Sequence, residues 1–275
     1  MLAVGINVIV LSLNPSLAKA GNRLATSANE DDKNNLTPYC HDGNILSYCL
    51  IKSIKGEHSM KNKNYNGLSD VHLFVPDSMA DWETAFAIAH INRPAPGIAS
   101  KYNVKTVGID RKMIRTMGGI TIQPDMSLDE LMPGKSSMLI LPGSELWGDT
   151  ITDPALTKAQ DFVDSGVPIA AICGATFGLA RVGLLDDRRH TSNDPNWLAS
   201  SGYRGIANYV QEPTVEDGGI ITASVTASLE FAKLILGRLE IFSLNTLNAW
   251  YNLYKTGNPK YYFEFMEALS HEEAK

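Results

Sequence analysis

The sequence predicts an α/β protein built on a mainly parallel sheet, and two observations carry that prediction. From Val71 onward, short β-branched apolar runs alternate with stretches of helical period, the pattern that puts a crossover helix between parallel strands. The runs are brief and bounded by glycine or proline, as in strands buried on both faces. With 275 residues, 44% hydrophobic and 20% charged, the chain has the composition of a soluble globule with one substantial domain or two small ones.

Val71-His72-Leu73-Phe74-Val75 reads as the first strand. Asp77 or Ser78 can cap the next helix, which carries Trp82, Phe86, Ile88 and Ala89 and is ended by Pro94 and Pro96. A second strand is expected over 103–109, then a short strand or hairpin over 119–124 running into a small helix at 128–131. Residues 137–141 form a buried strand that stops at Pro142-Gly143. Asp153-Pro154 supplies the cap and first-turn proline of a helix through 164. The strand at 167–172 then meets the small-residue run from Gly174 to Ala180, a helix stopped by Gly183. Further on, His190-Thr191-Ser192-Asn193 reads as a short strand, and 208–211 pairs with 219–223 through a turn at 216–218. A long apolar helix over 225–239 follows, and Gly257-Asn258-Pro259 divides two aromatic-rich helices, 244–254 and 261–269.

Three segments result. Residues 1–69 are expected to be a poorly ordered extension, because their Asn, Lys, Ser, Asp and Gly cannot bury enough apolar surface to offset chain entropy. Residues 70–240 form the α/β domain, and 241–275 a helical appendage that packs on it or on a dimer partner. The apolar stretch at 1–13 is too short for a bilayer span and lacks a preceding Lys or Arg. A membrane is therefore not an expected partner.

A net charge of −6 without a basic stripe argues against nucleic acid. Neither G-x-G-x-x-G nor a P-loop occurs, so no cofactor is expected. Three cysteines make no disulfide framework and fit a reducing, cytoplasmic setting. Cys40, His41 and Cys49 match no zinc spacing, so no metal site is expected. His72 and His90 fall on elements expected to pack in or beside the core, where a histidine is a partnered structural residue.

The most informative position is Cys173, where the strand breaks into Gly174-Ala175-Thr176-Phe177-Gly178. A sharp turn after a strand lifts one side chain out of the sheet plane and sets the first free N–H groups of a helix beneath it. The serine of a nucleophile elbow is presented in this way. The helix dipole is expected to lower the pKa of a thiol there, and the thiolate is the reactive form. The alternative is a buried core cysteine packing as a small hydrophobe.

Over roughly 71–239 the chain resembles the ThiJ/PfpI family of the class I glutamine amidotransferase-like superfamily. Four features carry the likeness in order: Asp81-Trp82-Glu83 after the first strand, Leu141-Pro142-Gly143-Ser144, Ala171-Ile172-Cys173-Gly174-Ala175, and Gly183-Leu184-Leu185-Asp186-Asp187-Arg188-Arg189. The resemblance implies a flavodoxin-like three-layer sandwich, a homodimer and a reactive Cys173 contacted by Glu83. A protonated Glu83, buried near Trp82 and Phe86, would donate to the sulfur and favour its thiolate. Gly174, Ser144 and Gly143 become the expected oxyanion or substrate-binding positions, with Ser144 standing where the family has glycine. The histidine that follows the cysteine in protease-like members is Gly174 here, which argues against a peptidase. The histidine that other members carry on a later strand falls on Asn193, which can hydrogen-bond a substrate or oxyanion but cannot shuttle a proton, while His190, three residues earlier, can act as the catalytic histidine only if the local backbone is bent.

The resulting expectation is a cysteine-dependent enzyme of glyoxalase, deglycase or amidase type, acting on a small carbonyl or amide compound. The rival is a non-catalytic redox or stress protein that works by oxidation of Cys173.

Overall fold

The computed structural model describes residues 68–96 and 98–273. Of the extension expected over 1–69, residues 1–67, with Cys40, His41 and Cys49, lie outside the described residues. The chain runs β1 (Ser69–Phe74), α1 (Asp81–Asn92), β2 (Tyr102–Gly108), β3 (Ile114–Arg115), β4 (Thr121–Ile122), β5 (Met126–Ser127) and β6 (Met138–Leu141). It continues through α2 (Asp153–Asp164), β7 (Ile169–Ile172), α3 (Gly174–Arg181) and α4 (Pro195–Ala199). The last elements are β8 (Thr214–Asp217), β9 (Ile220–Ala223), α5 (Ser228–Arg238), α6 (Leu244–Thr256) and α7 (Lys260–Glu273).

Seven strands form one sheet in the order β5-β2-β1-β6-β7-β9-β8, parallel except for β8. The alternation of side chains along the strands builds a core on each face. Met138, Ile140, Ala170 and Ile172 face the layer of α1 and α5, while Leu139, Leu141, Ile169 and Ala171 face that of α2 and α3. This is a flavodoxin-like α/β sandwich. The strand order reverses at β1, which lies between β2 and β6, so the loops leaving β1 and β6 diverge and open a crevice at the carboxyl ends of the strands.

The appendage helices complete the first layer. Trp250 of α6 and Phe265 and Leu269 of α7 are buried in the same cluster as Ile91 of α1 and Phe231 of α5. His90 is fixed at both ring nitrogens: Nδ1–H donates to the Phe86 carbonyl at 2.8 Å, and Nε2 accepts from Trp250 Nε1 at 2.9 Å. His72 is buried, with Nδ1 2.7 Å from Ser136 Oγ.

Helix α1 starts from Ala80 rather than from a side-chain cap at Asp77 or Ser78, and α2 starts from Thr152, with Asp153 already in its first turn. Two strand expectations also differ from the structure. Asn208 ends a short 3-10 turn, and the strand that pairs with β9 is Thr214–Asp217, in the segment expected to turn. The turn falls instead on Gly218 and Gly219, both at positive φ (57° and 80°), a conformation glycine adopts without strain. The 190–193 segment contributes a single bridge, His190 to Tyr209, rather than a strand.

Candidate functional site

The site forms where β7 gives way to α3. All four β7 residues are buried, and the next residue, Cys173, has φ 55° and ψ −122°. A side chain in such a backbone region costs about 1–3 kcal/mol and persists only where its surroundings impose it. Three hydrogen bonds impose it here. Cys173 N donates to Ala223 O at 3.0 Å, and Cys173 O accepts from Thr176 N at 3.1 Å and Thr176 Oγ1 at 2.6 Å. A Cβ on Gly174 would stand 2.8 Å from Ser144 O and 3.0 Å from Trp147 Cδ1. The elbow thus sits directly against the loop after β6. The thiol is half-buried rather than sealed in the core.

Glu83 lies in the first turn of α1 and has no exposed surface. Its Oε2 accepts from Gly143 N at 2.5 Å, while Oε1 has no hydrogen-bond partner. Gly143 must be glycine here, since an added Cβ would stand 2.7–2.8 Å from the two carboxyl oxygens and 2.9 Å from Cys173 Cβ. That contact also corrects the role expected of Gly143. Its N–H holds the acid, so it is not free for an oxyanion. Trp82 is not the expected shield of the carboxyl: it is 47% exposed and lines a shallow cleft of about 460 Å³ with Asp81, Met117, Gly118 and Ile120.

Burial raises the Glu83 pKa to about 7, opposed by its contacts with Gly143 N–H and the Cys173 side chain. The thiol departs from expectation. Burial first, then the Glu83 charge, push Cys173 up to about 11, although Asn193 and the Gly174 N–H pull the other way. The helix N–H groups still favour the thiolate, but the cost of desolvating its charge, added to the repulsion from Glu83, outweighs them. The two groups therefore form a pair that gives up a first proton near neutrality and holds the second into alkaline pH.

Asn193 Nδ2 donates to Cys173 Sγ at 3.3 Å, and its Oδ1 accepts from Val225 N at 2.8 Å. Because a backbone N–H can only donate, the Val225 contact fixes the amide with its NH2 toward the sulfur. His190 is not brought to the thiol. It is buried, with Nδ1 bonded to Arg188 O at 2.8 Å and Nε2 to Tyr203 Oη at 3.1 Å. Its placement therefore corrects the proposed catalytic use: both nitrogens serve the packing of the 186–209 region. Among the described residues no imidazole hydrogen-bonds the sulfur.

Ser144 tolerates a side chain because its backbone is extended, with φ −160° and ψ 162°. Its Oγ donates to Asp77 O at 2.9 Å and accepts from Leu146 N at 3.0 Å. Its nitrogen lies 3.4 Å from the position a Gly174 Cβ would take, so the two backbones are neighbours. Val225 is the site residue that sequence reasoning missed. Its contribution is a backbone N–H, which no side-chain pattern reports.

Comparison with known proteins agrees with this fold. A family model described as the DJ-1/PfpI family matches residues 69–238. A Bacillus subtilis (strain 168) protein named "Uncharacterized protease YoaZ" is 44% identical over 204 residues, covering 73% of this chain and 97% of that protein. "Protein/nucleic acid deglycase 2" of Escherichia coli (strain K12) is 30% identical over 110 residues, 38% of this chain and 62% of its own length. Among solved structures, a thiJ/pfpI family protein from Bacillus anthracis superposes with a TM-score of 0.70 at 40% identity, covering 73% of this chain and 97% of that one.

Proposed function

Because the chain belongs to the DJ-1/PfpI family, we propose that it is a cysteine-dependent enzyme acting on small carbonyl or amide compounds, with Cys173 as nucleophile and Glu83 as its proton acceptor. The observation that carries this reading is the unpartnered Oε1 of a fully buried Glu83 beside a half-buried thiol on a strained elbow. Strain and perturbed titration concentrated at one spot in a strand-end crevice are marks of a working site.

Above neutral pH the pair holds one proton. As the sulfur bonds to the carbonyl carbon, the S–H proton passes to the Glu83 carboxylate and the carbonyl π electrons move to oxygen. The N–H groups of Gly174 and Ser144 stabilise that oxygen, and the Asn193 amide steadies the sulfur. Glu83 then returns the proton to the oxygen of an aldehyde adduct; with an amide it protonates the departing amine as the oxyanion reforms the carbonyl, and water then attacks the resulting thioester, its proton passing through Glu83 to the departing sulfur, which releases the acid and frees the thiol. In this reading the protein is a cytoplasmic homodimer that uses a small-molecule substrate and no cofactor. The names of relatives, a deglycase and an uncharacterized protease, agree with the broad class. The Asn193 amide, unable to shuttle a proton at neutral pH, weighs against a peptidase.

The test is Cys173→Ser with glyoxal, methylglyoxal and small amides. Turnover should fall about a thousandfold or more, and undiminished turnover would remove the thiol from the chemistry. A second reading, a redox sensor, is favoured because among the described residues the sulfur is met by the Asn193 amide and by no imidazole. Mass spectrometry after mild peroxide discriminates: selective oxidation of Cys173 without turnover on any substrate supports the sensor.

A further inference from the structure

Three contacts tie the start of α3 to the segment that leads into α4. Asn193 reaches the sulfur, Thr176 Oγ1 meets Ser192 Oγ at 2.7 Å, and the Phe177 and Trp197 rings stack with centroids 5.0 Å apart and planes 35° apart. Since the Thr176 hydroxyl proton goes to Cys173 O, Ser192 is the donor in the second contact. Asp194 fixes the start of α4, its Oδ1 accepting from Asn196 N at 2.8 Å and Trp197 N at 2.9 Å. Phe177 lies one turn into α3, and helical side chains lean toward the N-terminus, here toward the elbow. The indole is 37% exposed although its backbone is held by a cap and its ring by a stack.

We infer that Phe177 and Trp197 form an aromatic wall beside Cys173 that selects carbonyl substrates bearing an aryl or other flat apolar substituent over those bearing a methyl group. The inference rests on the carbonyl reading of the site and names a substrate class within it. A flat group entering with the carbonyl would pack against the exposed part of the indole, while the reacting carbon sits at the sulfur. Stacking of this kind is worth up to about 1.5 kcal/mol, roughly tenfold in kcat/KM.

The experiment compares phenylglyoxal with methylglyoxal in the wild type, Trp197→Ala and Trp197→Phe. Trp197→Ala should lose about tenfold in kcat/KM on phenylglyoxal and less than twofold on methylglyoxal, and Trp197→Phe should keep most of the preference. Equal losses on both substrates, or none, would overturn the wall. A second readout is independent of turnover: the ratio of Cys173 alkylation rates by N-benzyl iodoacetamide and iodoacetamide, followed by mass spectrometry. That ratio should drop by a similar factor in Trp197→Ala, and an unchanged ratio overturns the inference. If the ratio drops but neither glyoxal is turned over by the wild type, the wall stands and the enzymatic reading falls.

Discussion

Helix α1 carries an ionisable residue near each end, a fully buried Glu83 and a half-buried His90, and the two are treated in opposite ways. His90, toward the carboxyl end, has a partner on each ring nitrogen and packs edge-on against Trp250 and Tyr254. Glu83, in the first turn, has one oxygen bonded and one orphaned beside a strained cysteine. Burial disfavours the charged form of both, lowering the histidine and raising the acid to about 7. Burial alone therefore does not mark a functional group. What separates the two is whether the polar atoms are satisfied, because an orphan in a protein interior is costly and is kept where something else uses it.

The widest gap between the two ends should appear in Glu83→Gln. Activity should drop by about 10²–10⁴-fold, the usual worth of a positioned acid or base. Stability should move the other way with pH. The folded pKa of Glu83 lies above its ordinary 4.5, so its contribution is fully present below that value and is lost as pH rises through 7. The loss is roughly 3 kcal/mol. Glu83→Gln should flatten this fall in urea unfolding between pH 5 and 8. A slope that survives the substitution would assign the fall to other groups.

Trp250→Phe probes the satisfied end and should cost about 1–3 kcal/mol at pH 8 by leaving His90 Nε2 without its donor. The sign is reversed at this end. With a lowered folded pKa, the His90 contribution is present above 6.5 and is lost as pH falls toward the folded value. Removing the Trp250 N–H that opposes protonation should raise the His90 pKa, read by proton NMR, and shrink that acid loss. Turnover per folded molecule should stay within a few-fold of wild type, and a collapse of activity would erase the contrast between the ends.

Asn193→Ala should have the smallest effect. Losing one donor to sulfur removes about 0.5–1.5 kcal/mol from the thiolate, so Cys173 alkylation at fixed pH should slow severalfold with stability little changed. Alkylation as fast as in the wild type would leave the 3.3 Å contact without a role.

The alternation of Val71-His72-Leu73-Phe74-Val75, the Pro142-Gly143 stop and the break at Cys173 made the sheet, its order along the chain and the elbow legible in the sequence. Those signals are local, and so are the elements they specify. β8 was hidden because its one buried residue, Val215, sits among Thr214, Glu216 and Asp217, and its pairing depends on two glycines that also read as a loop. The direction of the thiol shift was hidden for a different reason. It depends on how deeply the thiol is buried and on Glu83, 90 residues earlier in the chain, being packed beside it. The orientation of Asn193 is likewise set by a backbone N–H 32 residues away.

The pH dependence of Cys173 alkylation by iodoacetamide, measured in the wild type and in Glu83→Gln, tests the shared proton most directly. A wild-type thiol that ionises well above 9, moving down when the carboxylate is removed, is the predicted result. A thiol that ionises at or below 9 and ignores the substitution would contradict it.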